Sequence, residues 1–162
     1  MQKTIITGAN GFIGSSLALK LIEKKIHVVA IDIAFANSRL PENEYITKIQ
    51  MSLDNVDALV TVLSVANNCD AFYHFAWRGV NGAEKADPIV QMQNAQMALN
   101  CAKVAKEIGC IKFLCAGTIA EQAVNSLPHL TKPSGGMMYG AAKHCTHIML
   151  ETYCKNIGLD FV

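Results

Sequence analysis

Tyr139 and Lys143 stand four residues apart in "MYGAAKHC", a segment of helical composition, so both side chains fall on one face about one turn from each other. A phenol beside an ammonium is an acid–base device, because the cation favours the phenolate and the phenolate can take a proton from a hydroxyl. The plain alternative is a solvent-facing pair of the kind many helices carry. A second constellation lies at the other end of the chain, where "TGANGFIG" (residues 7–14) sets Gly8, Gly11 and Gly14 behind Ile5 and Ile6 and ahead of Leu17, Leu19 and Leu21. A strand that hands over to a helix through such glycines leaves backbone N–H groups unpaired at the positive end of the helix dipole, where a phosphate can seat. The alternative there is a tight turn and nothing more.

The segment "HVVAID" ends in Asp32, eighteen residues beyond Gly14. In a dinucleotide-binding unit a carboxylate at that distance accepts hydrogen bonds from the adenosine ribose, and the glycines serve the turn, the pyrophosphate and close helix packing. An acid there repels a 2′-phosphate and the nearest following arginine is Arg39, so NAD is expected rather than NADP. A strand-end carboxylate in a turn is the simpler reading of Asp32.

Short β-rich runs and longer segments of helical period alternate to position these groups. The runs are "KTIIT", "HVVAID", "YITKIQ", "DAFYHFA", "CIKFLCAG" and "LDFV", and the helical segments fall at 12–24, 54–66, 87–108 and 138–156. Strands separated by helices pair in parallel through crossovers, so the expected fold is α/β, a doubly wound parallel sheet in three layers. Three irregular stretches, 34–44, 78–88 and 125–136, read as loops, the second ending in an Asp-Pro helix start.

With 162 residues the prior is one domain, and a net charge of +1 gives no electrostatic reason to expect nucleic acid or acidic lipid as a partner. The opening "MQKTIITGAN" carries a four-residue apolar stretch before its first glycine, too short for a signal core or a membrane span, so a cytoplasmic protein is expected. Six cysteines form no CxxC and no histidine stands at a finger-like spacing, so free, mostly buried thiols are expected rather than a metal site.

Taken together and in this order, "TGANGFIG", Asp32, "YHFAW", "AGTIAEQ" and "YGAAK" resemble the extended short-chain dehydrogenase/reductase family of nucleotide-sugar epimerases, dehydratases and reductases. The resemblance spans the whole chain and implies a Rossmann-like fold. It implies that Gly8, Gly11 and Gly14 with the backbone of Asn10, Phe12 and Ile13 hold a pyrophosphate and that Asp32 holds the adenosine ribose. Phe75, Ala76 and Trp77, following His74, would pass beside the cofactor. Tyr139 is implied as acid/base, Lys143 as the residue that holds the nicotinamide ribose and favours the phenolate, and Thr118 as the group that hydrogen-bonds the reacting sugar oxygen. Asn94 matches a family asparagine that bends its helix; a polar residue on a solvated face is the other reading. Where relatives carry an Asp against the adenine this chain has Ser52, next to Leu53 and close to Asp54.

Sugar dehydratases have an Asp-Glu pair directly after the Thr, and this chain has Ile119 and Ala120, with Glu121 one position late. That argues against dehydration, which needs an acid and a base there. Gln122-Ala123 replaces a common Tyr-Gly. The end, "GLDFV", resembles the start of the family's sixth strand, so residues 1–162 are expected to form the cofactor domain of a longer enzyme, without its C-terminal substrate-binding part. Apolar residues in the helices at 87–108 and 138–156 exceed what one buried face needs, which suggests a homodimer through them. The expected function is that of an NAD-dependent nucleotide-sugar epimerase or ketoreductase. A non-catalytic NAD(H)-binding regulatory module is the alternative.

Overall fold

The computed structural model describes residues 1–54, 59, 60 and 66–162. Among the described residues the elements follow one another as β1 (Lys3–Thr7), α1 (Phe12–Glu23), β2 (His27–Asp32), β3 (Ile46–Gln50), β4 (Ala71–His74), α2 (Pro88–Glu107), β5 (Lys112–Cys115), α3 (Ala120–Ala123), α4 (Gly135–Ile157) and β6 (Asp160–Phe161). The helical segment expected at 54–66 lies largely outside the described residues. Every strand pairs in parallel, in the order β3-β2-β1-β4-β5-β6. The chain therefore winds outward from β1 in one direction, returns to β4 beside it, and winds outward again. The reversal leaves a crevice at the carboxyl ends of β1 and β4, the place where open α/β sheets take ligands.

Both faces of the sheet are covered. Successive strand residues point to opposite faces, so Ile6, Val28 and Ala30 pack with Ala18, Leu21 and Ile22 of α1, while Ile5, Val29, Ile31, Phe72 and Phe113 pack with Ala98, Ala102 and Leu150 of α2 and α4. The continuous apolar runs read from the sequence are the consequence of this two-sided burial. The helix ends follow local chemistry as well. Asp87 caps α2 by accepting from the N–H groups of Ile89 (2.8 Å) and Val90 (3.1 Å), with Pro88 in the first turn. Gly158, at φ +64°, ends α4 in the left-handed conformation.

Two departures from the sequence reading concern the stretch after β5. It contains the single-turn α3 and a 3-10 segment, Val124–His129, where only loop was expected, and α4 begins at Gly135, ahead of the expected start. The apolar surplus on α2 and α4 divides: Val90 and Leu150 go into the core, whereas Ile89, Met92, Ile148 and Met149 remain exposed. Four cysteines are buried, Cys115 is half-buried and Cys145 is exposed, and all six are free. Burial pushes the Cys69 thiol up to about 11 and that of Cys110 up to about 12, so both stay protonated and act as packing groups.

His74, the residue before Phe75, is part of the core. It lies between Thr7 and Cys115 across the sheet, its Nδ1 is 2.9 Å from Thr7 Oγ1, and its ring stacks on Phe113. Burial, reinforced by the Lys143 charge, lowers its pKa to about 3 from 6.5. Below pH 6.5 the unfolded chain takes up a proton that the folded one refuses, so this residue makes stability fall as pH drops towards 3. Urea unfolding at pH 7 and pH 5 should show roughly 2 kcal/mol less stability at pH 5 from this group alone. His74→Asn, which keeps an acceptor for Thr7, should lose that part of the dependence; an equal fall in both proteins would contradict the assignment.

Candidate functional site

Three glycines build the crevice by different means. Gly8 has φ +67°, and a Cβ on it would lie 2.7 Å from the Ala76 nitrogen, so the turn after β1 presses on the strand exit of β4. A Cβ on Gly14 would stand 2.2 Å from the Gly8 carbonyl oxygen, which means that α1 packs directly on the turn. Gly11 differs, since its Cβ would meet only the Gly8 oxygen, at 3.1 Å. It caps α1 without any side chain, and no acidic residue occupies the first helical turn, so the positive helix end is left uncompensated. A groove of about 340 Å³ opens over this turn, lined by Gly8, Gly11, Asp32, Ser52, Leu53, Phe75, Ala76 and Trp77, with Ile33, Met51, Asp54, Arg78, Gln93, Asn94 and Met97 completing the wall. Bare backbone, a helix N-terminus and an acidic strand end at a switch point fit a dinucleotide.

Several of the residues expected at the cofactor make contacts within the protein. Asp32 Oδ2 accepts from the Asn10 backbone N–H at 2.8 Å, which braces the glycine turn from the end of β2. The Asn10 side chain donates to the Ala34 carbonyl and accepts from the Arg39 N–H, tying the loop after β2 to the turn. The Asn10 amide therefore has a partner inside the protein, as does that of Gly11, which donates to the Gly8 carbonyl at 3.1 Å. The Phe12 and Ile13 side chains are exposed, and Gly14 is buried against Gly8. Ser52 Oγ donates to Asp54 Oδ2 at 2.9 Å.

Tyr139 and Lys143 sit on α4, against the exits of β4 and β5. Lys143 is 6% exposed; its Nζ donates to the Ala116 carbonyl at 2.8 Å and stands 3.7 Å from the centroid of the Trp77 ring. Desolvation by this burial pulls its pKa below the ordinary lysine value, against the smaller raising influences of Cys115 and Glu121. Tyr139 meets Trp77 edge to face at 6.2 Å, and Lys85 Nζ lies 5.2 Å from the Tyr139 ring centroid. Thr118 is on the turn after β5, where its N–H donates to Glu121 Oε1 at 2.7 Å and its Oγ1 accepts from the Ala120 N–H. That turn is pressed onto α4 between the pair, since a Cβ on Gly140 would come within 2.5 Å of the Ala120 oxygen.

Four residues without an assigned place in the site prove to organise it. Gln91 is fully buried, accepts from the Trp77 indole N–H at 2.9 Å and donates to the carbonyls of Gly79 and Glu84. Asn94 does not face solvent: it is 3% exposed and clamps Arg78 by accepting from its N–H (2.9 Å) and donating to its carbonyl (2.7 Å). Glu121, one position late for dehydratase chemistry, caps Thr118 and reaches His147 Nδ1 at 3.6 Å. Lys85 brings a cation over the Tyr139 ring. A trace of the first two was visible in the sequence, as amides three apart on a helix face otherwise made of alanines.

The glycine geometry separates folding from binding. Gly14→Ala must displace backbone and should destabilise the fold by several kcal/mol or prevent folding, whereas Gly11→Ala should stay within about 1 kcal/mol of wild type and lose dinucleotide affinity by tenfold or more. Thermal melts with parallel NADH calorimetry read both quantities; equal stability losses in the two variants would contradict the division of roles.

The same fold occurs in solved structures. The UDP-glucose 4-epimerase of Thermotoga maritima with UDP-glucose superposes with a TM-score of 0.81 at 21% identity, covering 99% of this chain and 53% of that one. For the Thermus thermophilus UDP-glucose 4-epimerase in complex with NAD the TM-score is 0.78 at 18% identity, over 99% and 53%. The UDP-N-acetylglucosamine 4-epimerase of Methanobrevibacter ruminantium gives 0.79 at 24%, again over 99% and 53%. The chain thus spans about half the length of these structures. No curated protein matches it significantly. Residues 4–162 match the NAD-dependent epimerase/dehydratase family, and the chain belongs to that family.

Proposed function

We propose that residues 1–162 form the cofactor-binding and catalytic part of an NAD-dependent nucleotide-sugar epimerase or ketoreductase. The observation that supports this reading is that α4, which carries Tyr139 and Lys143, is held to the chain after β5, which carries Thr118, by Lys143 Nζ on the Ala116 carbonyl and by the Gly140–Ala120 approach. The names of the structural neighbours, which include UDP-sugars and NAD, support the substrate and cofactor classes.

In this reading the groove backbone around Gly8 and Gly11 binds the pyrophosphate and Asp32 takes the adenosine ribose, favouring NAD because its carboxylate repels a 2′-phosphate. Nicotinamide, when bound, supplies a reversible hydride acceptor. Tyr139 takes the proton of a sugar hydroxyl at its phenol oxygen, Lys143 favours the phenolate that does so, and the Thr118 hydroxyl holds the sugar oxygen. Ile119 and Ala120 offer no acid or base for dehydration. The exposed Ile89, Met92, Ile148 and Met149 support a homodimer through α2 and α4, which sedimentation across a concentration series would reveal as a dissociating species.

A second reading, a non-catalytic NAD(H)-binding module, is favoured by one observation: neither Tyr139 nor Lys143 lines the groove. Product analysis on the complete protein separates the cases, since an epimerase leaves cofactor absorbance unchanged, a reductase consumes reduced cofactor stoichiometrically, and a module yields no product. Tyr139→Phe should lower turnover by about 10²–10⁴-fold with NADH affinity intact. Full turnover in that variant would overturn the assignment of Tyr139.

A further inference from the structure

Trp77 belongs to two surroundings at once. It lines the groove over the glycine turn, to which none of Thr118, Tyr139 or Lys143 contributes. Its indole also covers the Lys143 ammonium at 3.7 Å and meets the Tyr139 ring. Its N–H is fixed by Gln91, a fully buried side chain whose remaining donor capacity is spent on Gly79 and Glu84. A ring held this way is not a freely rotating surface group, and Lys143, with only 6% exposure, is sealed behind it.

We propose that Trp77 divides the cofactor site: adenosine diphosphate enters the groove with the indole in place, whereas a complete dinucleotide must displace the indole from Lys143. The proposal rests on the dinucleotide reading above. Its physical basis is competition for one cation. The ring face attracts the desolvated ammonium, so a ligand group that approaches Lys143 has to replace that contact as well as make its own. The ring is thus a specificity element, making the second half of the cofactor site costlier to fill than the first.

Trp77 is the single tryptophan of the chain, so its emission reports this residue alone. The test is titration of the chain with ADP and with NAD⁺, following emission and acrylamide quenching, and calorimetry of the same ligands on Trp77→Ala and Trp77→Phe. ADP should bind with the indole still shielded from acrylamide, and NAD⁺ should bind with increased accessibility of the indole to acrylamide. Trp77→Ala should raise the ratio of NAD⁺ to ADP affinity about tenfold, and Trp77→Phe, which keeps a ring but loses the Gln91 bond, should fall between. Retained ADP binding also shows that the variants keep the folded groove. A ratio that is unchanged or lower in Trp77→Ala, with ADP still bound, overturns the displacement and leaves the dinucleotide reading standing. Failure of wild type to bind either ligand overturns both.

Discussion

A Cβ on Gly14 would lie 2.2 Å from the carbonyl oxygen of Gly8, and one on Gly8 would lie 2.7 Å from the backbone of Ala76. These contacts of bare backbone fix where α1 meets the sheet and how closely the exits of β1 and β4 approach. The crevice at the topological switch point follows from them, because the helix can present its N-terminus to the groove only when nothing stands between it and the turn. Asp32 completes the arrangement from the next strand by accepting the Asn10 N–H. The carboxylate that is proposed to read a ribose thereby also sets the backbone that is proposed to hold the pyrophosphate.

The same device recurs around the proposed catalytic residues. Gly140 allows the Ala120 carbonyl to lie against α4 between Tyr139 and Lys143, so the turn bearing Thr118 is fixed to the helix bearing the pair. Glu121 adds a side-chain tie, capping Thr118 and reaching His147 one turn beyond Lys143. Lys143 is buried among groups that suit a cation, the Ala116 carbonyl and the Trp77 face, which offsets the cost of removing it from water. His74 close by stays neutral in the core, so two basic groups share this region with only one of them charged.

Much of this was legible in the sequence. The six strands stand out because both sheet faces are covered, which turns each strand into a continuous apolar run, and the glycines are legible because few other residues survive such backbone approach. The departures occur where tertiary contacts decide. The function of Trp77 depends on Gln91, fourteen residues later on another element, and nothing in the local pattern pairs the two. Asn94 and Glu121 are likewise polar residues whose roles come from the loops they hold. The single-turn α3 and the 3-10 segment after it are too short to leave a period, and Pro128 marked that stretch as loop. His74 followed the motif, yet strand alternation sends its ring to the core while Phe75, Ala76 and Trp77 reach the groove.

The central claim is that the glycine turn and Asp32 together make a site for NAD. Calorimetric titration of the purified chain with NADH and, separately, NADPH tests it most directly. The account predicts NADH binding at least tenfold tighter than NADPH, with the preference reduced in Asp32→Ala. Equal affinities would contradict the role given to Asp32, and a folded chain that bound neither would contradict the site itself.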